Sequence, residues 1–119
     1  MKNNALGEIG ERKAAEYLRR HGYVIKEKNY RCRAGEIDII VQKDEFIVFV
    51  EVKSRKNASF AEAREFVNYS KQQKIIKTAM LWLGVHDCDL QPRFDVIEVY
   101  PSGKLLTPYI INHVENAFM

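Results

Sequence analysis

A mixed α/β sheet flanked by helices is the fold the sequence predicts, and three observations predict it. Residues 36–42 and 46–53 are two runs rich in β-branched and aromatic side chains, joined by the polar Lys43-Asp44-Glu45. They show little apolar/polar alternation, as expected of strands covered on both faces. Helical patterns stand before and after this hairpin, over 5–20 and 70–84, and a further β-rich run follows at 94–100. The order therefore reads αβββαβ plus a C-terminal tail. At 119 residues, 46% hydrophobic and 29% charged, the chain suits a single domain, 1–119, around one core.

Asn3 or Asn4 offers a cap for a first helix from Ala5 to Arg20, which closes on Arg19, Arg20, His21 and Gly22. Its inward stripe is Gly7, Glu11, Ala14, Ala15 and Leu18, so Glu11 puts a carboxylate on the face expected to be apolar. Tyr23–Lys28 reads as a strand or extended approach, and residues 31–35 as a basic loop ending in a glycine turn. The hairpin comes next. Residues 54–69 carry only a weak pattern, a short helix or a packed loop. Ser70 then caps a helix reaching Gly84, with Ile75, Ile76, Ala79, Met80 and Leu83 on its apolar face and Lys71, Lys74 and Lys77 on another stripe. Phe94–Tyr100 is a strand, residues 101–104 a turn, and the remainder a strand with a short terminal turn or helix.

Composition excludes several classes. The N-terminus lacks the apolar stretch of a signal peptide, and the longest apolar run, Phe46–Val50, is too short to cross a bilayer, so a cytoplasmic protein is expected. Cys32 and Cys88 form no C-x-x-C, and with His21, His86 and His113 scattered they suggest neither a zinc site nor a disulfide framework. The net charge of +3 is small, but its distribution is uneven. Residues 36–51 hold five acids and one lysine, whereas residues 53–77 hold seven basic side chains against two acids. An acidic knot followed by a basic stretch suits a cation held against a phosphate backbone, although a solvated helix face after a strand would give the same run.

The chemistry centres on Asp38, Glu51 and Lys53. Side chains two apart in a strand share a face, so Glu51 and Lys53 point the same way. A two-residue turn at Asp44-Glu45 would pair positions summing to 89 and set Asp38 opposite Glu51, about 5 Å apart at Cβ. A three-residue turn would send Asp38 to the other face unless a bulge corrected it. If the two carboxylates do converge in a low-dielectric site, they repel unless one takes a proton or a divalent cation lies between them. All-oxygen ligation suits Mg²⁺ or Mn²⁺, and Lys53 could orient an attacking water or stabilise charge on a phosphate. The bare carboxylate-x-Lys pattern also occurs at Glu11-Arg12-Lys13, where helical spacing separates the two side chains. A structural acid–lysine pair at the sheet end is the alternative for the strand copy. Glu36 shares Asp38's face as a further ligand, an orienter or a turn residue. Asp95 reads as an ion-pair or capping residue, and Trp82 as packing.

With Gly7-x-x-Gly10-Glu11, Gly22-Tyr23, Asn29-Tyr30-Arg31, Gly35-Glu36-Ile37-Asp38, Phe49-Val50-Glu51-Val52-Lys53, Lys71, Arg93-Phe94-Asp95-Val96 and Asn116-Ala117-Phe118, the chain resembles the bacterial YraN family nearly end to end. That family is regarded as a set of nucleases of the restriction-endonuclease-like, PD-(D/E)xK fold, distantly similar to archaeal Holliday-junction resolvases. The resemblance implies a mixed central sheet flanked by helices, with Asp38, Glu51 and Glu11 as metal ligands and Lys53 as the catalytic lysine. Ile37 stands where the motif has its proline, so no cutting specificity is carried over. The expectation is a Mg²⁺- or Mn²⁺-dependent nuclease acting on DNA, with branched or damaged forms among its candidate substrates. Arg31, Arg33, Arg55, Lys56, Lys71 and Lys74 are the expected nucleic-acid contacts. A homodimer is expected from the resolvase likeness, although the apolar pattern shows no dimer seam. A non-catalytic nucleic-acid-binding module and a protein adaptor are the alternatives.

Overall fold

β3 (Phe46–Ser54) is the middle strand of a five-stranded sheet in the computed structural model, which describes residues 5–56 and 67–118. On one side it pairs antiparallel with β2 (Gly35–Lys43), which in turn pairs with the edge strand β1 (Val24–Cys32). On its other side it runs parallel to β4 (Gln91–Pro101), from Phe46–Gln91 to Ser54–Val99, and β5 (Tyr109–Val114) closes the sheet antiparallel to β4. A parallel neighbour requires a crossover, and α2 (Tyr69–Val85) lies on that connection. With α1 (Ala5–Arg20) at the start, the observed order is αβββαββ: the strand expected in the tail is β5.

The uninterrupted apolar runs are explained by a core on each face. Ala14, Ala15 and Leu18 of α1 pack on Ile39, Val41, Val48, Val50, Val52, Ile97 and Val99. Ile75, Ala79 and Trp82 of α2 pack on Ile37, Ile40, Ile47, Phe49, Phe94 and Val96, with Phe49 stacked on Phe94 at 5.6 Å between ring centroids. Ile37 departs from the alternation: it joins Ile40 rather than Ile39 and Val41.

The structure moves several boundaries. β1 runs on to Cys32, so the expected basic loop shrinks to a turn at Arg33-Ala34, closed by the Cys32–Gly35 pair. A charged edge strand with one exposed face resembles a loop in sequence, yet Lys26, Glu27 and Lys28 are the kind of residues that protect a sheet edge. Asn68, rather than Ser70, caps α2, because its Oδ1 accepts the Lys71 amide proton at 2.9 Å. The inward face of α2 is Ile75, Thr78, Ala79 and Trp82, and Met80 is 45% exposed. Thr78 tolerates burial because its hydroxyl donates to the Lys74 carbonyl one turn back, at 2.7 Å. Trp82 donates its indole N–H to Glu27 at 2.9 Å, which fixes the helix rotation around its largest apolar side chain. α1 keeps its expected bounds; Gly10 takes its place among the buried residues, while Gly7 and Glu11 are only half-buried. The expectation for residues 54–69 falls largely on 57–66, outside the described residues.

Candidate active site

The hairpin turn decides which residues of β2 and β3 meet. Asp44 and Glu45 form a two-residue turn closed by the Lys43–Phe46 pair, and the register runs unbroken to Ile39–Val50. Asp44 takes a left-handed φ of 54°, which suits such a turn. Continued one step, this register sets Asp38 against Glu51 on the α2 face. At that step the ladder opens, and Asp38 Oδ2 accepts the Val52 amide proton at 2.8 Å in place of a backbone carbonyl. The two carboxylates are buried, 2% and 5% exposed. With Gly35, Glu36, Lys71, Lys74 and Ile75 they line an open hollow of about 120 Å³.

Two lysines answer the repulsion between these acids. Glu51 Oε2 lies 2.5 Å from Lys71 Nζ and 3.7 Å from Lys53 Nζ. Burial works against the Lys71 ammonium, but the Glu51 carboxylate, aided by Asp38, more than offsets it and holds the lysine's pKa above its ordinary value. Lys71 was expected only as a phosphate contact, and its place against Glu51 is the main feature that sequence reasoning missed. The available signal was its spacing: Lys71, Lys74 and Ile75 share one side of α2, so a lysine four residues before a buried isoleucine faces the sheet.

Glu11 comes to the same end of β3 from the other face. A Cβ at Gly10 would lie 1.8 Å from Ser54 Oγ, so the glycine is what lets α1 approach the strand one residue beyond Lys53. Glu11 follows Gly10 and is half-buried, but it does not line the hollow. Among the described residues, no three Asp, Glu, His or Cys side chains gather closely enough to hold a metal ion. Among the described residues, the carboxylates that line the hollow are buried Asp38 and Glu51, each with one oxygen engaged by a donor, and Glu36. That fits a hard divalent cation of the Mg²⁺ type, which binds through one or two carboxylates plus waters and substrate phosphate. Asp38 and Glu51 would hold it; among the described residues, no thiol or imidazole lines the hollow.

The basic residues divide by environment. Lys74 is exposed at the rim of the hollow, and Arg33 and Lys56 are exposed elsewhere. Arg31, also exposed, donates its Nε–H to Glu36 at 3.1 Å and so ties that acid at the rim. Arg55 is drawn inward instead. Its Nε donates to buried Glu98 at 3.1 Å, and Asn112 donates to the same carboxylate from β5 at 3.0 Å.

Asp95 lies on the α1 face, where it is both an ion-pair partner and a cap. Arg93 donates to both of its oxygens, at 2.9 and 2.8 Å, and the Asn116 amide donates to Oδ1 at 3.0 Å. His113 completes the cluster, with Nε2 at 2.7 Å from Asp95 and Nδ1 at 3.0 Å from the Tyr17 hydroxyl. A neutral imidazole protonated at Nε2 satisfies both contacts.

Residues 10–99 match the profile of the uncharacterised protein family UPF0102. The chain is 46% identical over 114 residues to a UPF0102 protein of Caldanaerobacter subterraneus subsp. tengcongensis, covering 95% of this chain and 93% of that protein. It is 46% identical to a UPF0102 protein of Alkaliphilus oremlandii, over 98% of this chain and 99% of the relative. A UPF0102 protein of Clostridioides difficile is 45% identical, over 99% of this chain and all of the relative.

Proposed function

The chain belongs to the uncharacterised protein family UPF0102, the YraN family, and we propose that it is a Mg²⁺- or Mn²⁺-dependent nuclease that hydrolyses phosphodiester bonds in DNA. The observation that carries this reading is the meeting of buried Asp38 and Glu51, from two paired strands, with Lys71 and Lys74 around a hollow open to solvent, and with Lys53 3.7 Å from Glu51. A bound cation would supply Lewis-acid polarisation of a phosphoryl oxygen and a more acidic water. Asp38 accepts the Val52 amide proton at Oδ2, which anchors its carboxylate at the hollow that it lines. Lys53 stands three-quarters buried on the strand that carries Glu51, placed to stabilise charge gathering on a phosphate. Glu11 is the further acidic residue of this reading. Branched or damaged DNA is its proposed substrate class. In this reading the protein works in the cytoplasm, as a homodimer. Among the described residues no helix is long and apolar enough to cross a membrane.

Relaxation of supercoiled plasmid tests the proposal. Nicking that requires Mg²⁺ and disappears in Asp38→Ala supports it; nicking by Asp38→Ala at the wild-type rate would remove the assignment.

One observation favours a second reading, a nucleic-acid-binding module or adaptor that keeps the fold and cuts nothing. Lys53 and Lys71 already neutralise Glu51 without a metal. In either nucleic-acid reading, Lys74→Ala is expected to weaken DNA binding about equally across sequences and to lower the slope of log K against log salt by about 1. Fluorescence anisotropy at several salt concentrations measures this. An unchanged slope would place the phosphate path elsewhere.

A further inference from the structure

We infer that Lys71 occupies the seat of the divalent cation at Glu51 and acts as an internal counter-cation that metal loading must expel. This inference rests on the metal-site reading above and extends it to how the site is kept unloaded. Lys71 Nζ lies 2.5 Å from Glu51 Oε2, while a Mg²⁺ ion sits about 2.0–2.1 Å from its oxygen ligands. An ammonium and a divalent ion therefore contend for the same oxygen.

Charge points the same way. Asp38 and Glu51 bring two negative charges to this corner of the sheet, and Lys53 and Lys71 bring two positive ones. Adding a divalent ion with both lysines in place would leave the corner strongly positive; releasing Lys71 removes part of that excess. The helix end adds to it, since Lys71 lies in the first turn of α2, where the backbone amides already favour negative charge. Glu51 is what holds a cation there. The 2.5 Å contact with Glu51 Oε2 is what seats the ammonium, so the lysine's place depends on an acid that a metal would claim.

The side chain is able to leave. It is 42% exposed, on a flexible four-carbon stem, so its ammonium can turn toward solvent without moving the helix. Once released it would lie on the Lys74 side of the hollow, where a backbone phosphate would enter. Lys53, 25% exposed and 3.7 Å from Glu51, is held less closely and does not compete in this way.

Mn²⁺ binding, read from the electron paramagnetic resonance signal of the free ion at one pH and salt concentration, tests the inference without any cleavage assay. Lys71→Met is expected to bind Mn²⁺ about tenfold more tightly than wild type, and Glu51→Gln to lose binding. A Lys71→Met protein that binds with equal or weaker affinity, while binding still depends on Glu51, overturns the inference and leaves the metal site standing. Absence of Mn²⁺ binding in both wild type and Lys71→Met overturns the metal-site reading and the inference with it. Lys71→Gln is read the same way should methionine in the first turn disturb folding. On wild-type protein, acetylation of Lys71 followed by mass spectrometry is expected to speed up at saturating Mg²⁺ relative to exposed Lys104. An unchanged ratio contradicts the displacement.

Discussion

Replacing Lys53 by alanine is expected to lower metal-dependent DNA cleavage by about 10²–10³-fold in a protein that still folds. The fold should survive because Lys53 is not part of either apolar core, and Glu51 keeps its contact with Lys71 when Lys53 is gone. Catalysis should not survive, because in the proposed site Lys53 is the cation on the strand that presents Glu51. Lys71 does not take over, because it projects from α2 and not from the strand that carries Glu51. Lys53→Arg should also be impaired, since a planar guanidinium does not reproduce a compact ammonium. Single-turnover cleavage beside a thermal melt separates the two effects. A Lys53→Ala protein that cuts at the wild-type rate would show that Lys53 is a structural partner of Glu51 and no more.

Removing Asp95 should act in the opposite manner, on the fold rather than the chemistry. Asp95→Ala is expected to cost about 3–5 kcal/mol, since it removes both carboxylate hydrogen bonds from Arg93, which keeps its Tyr23 hydroxyl contact, and leaves the His113 N–H without its acceptor at a fully buried position. The acid-side behaviour follows from linkage. Burial alone would push the Asp95 carboxyl up, but hydrogen bonds from His113, Arg93 and the Asn116 amide outweigh it, so its pKa lies below the ordinary aspartate value of 3.8. A carboxylate depressed on folding contributes its full stability above the unfolded value and loses it as pH falls through the folded one. Urea denaturation should therefore show a large gap between wild type and Asp95→Ala at neutral pH, and a gap that narrows below pH 3.8. A gap independent of pH across that window would mean that cavity formation, not charge, dominates the loss.

The parts of this molecule legible in sequence are those governed by local patterns. The β2–β3 hairpin was readable because continuous apolar runs end on a polar turn, and α1 because Gly22 closes it with a left-handed φ of 86°. The Asp38–Glu51 meeting was readable only as a condition on turn length, which the Lys43–Phe46 pair resolves. β1 escaped beyond Lys28 because an edge strand of charged residues lacks the apolar signature of a buried one. The rotation of α2 escaped because Met80 is as apolar as Trp82, and only the sheet below decides which of them is covered. Long-range polar pairs left no mark at all. Tyr17 and His113 are 96 positions apart, and Arg55 reaches Glu98 across 43, so topology alone brings them together.

In the proposed nuclease, Glu51 helps to hold the metal ion on which DNA cleavage depends. Labelled single-stranded, duplex, flap and four-way DNA, each incubated with Mg²⁺, Mn²⁺ or EDTA and with wild type or Glu51→Gln, tests it most directly. Cleavage of at least one substrate by wild type with metal is expected, and none in EDTA or by Glu51→Gln. Cleavage that persists in Glu51→Gln or in EDTA would contradict it, as would DNA binding without cleavage of any substrate under every metal condition.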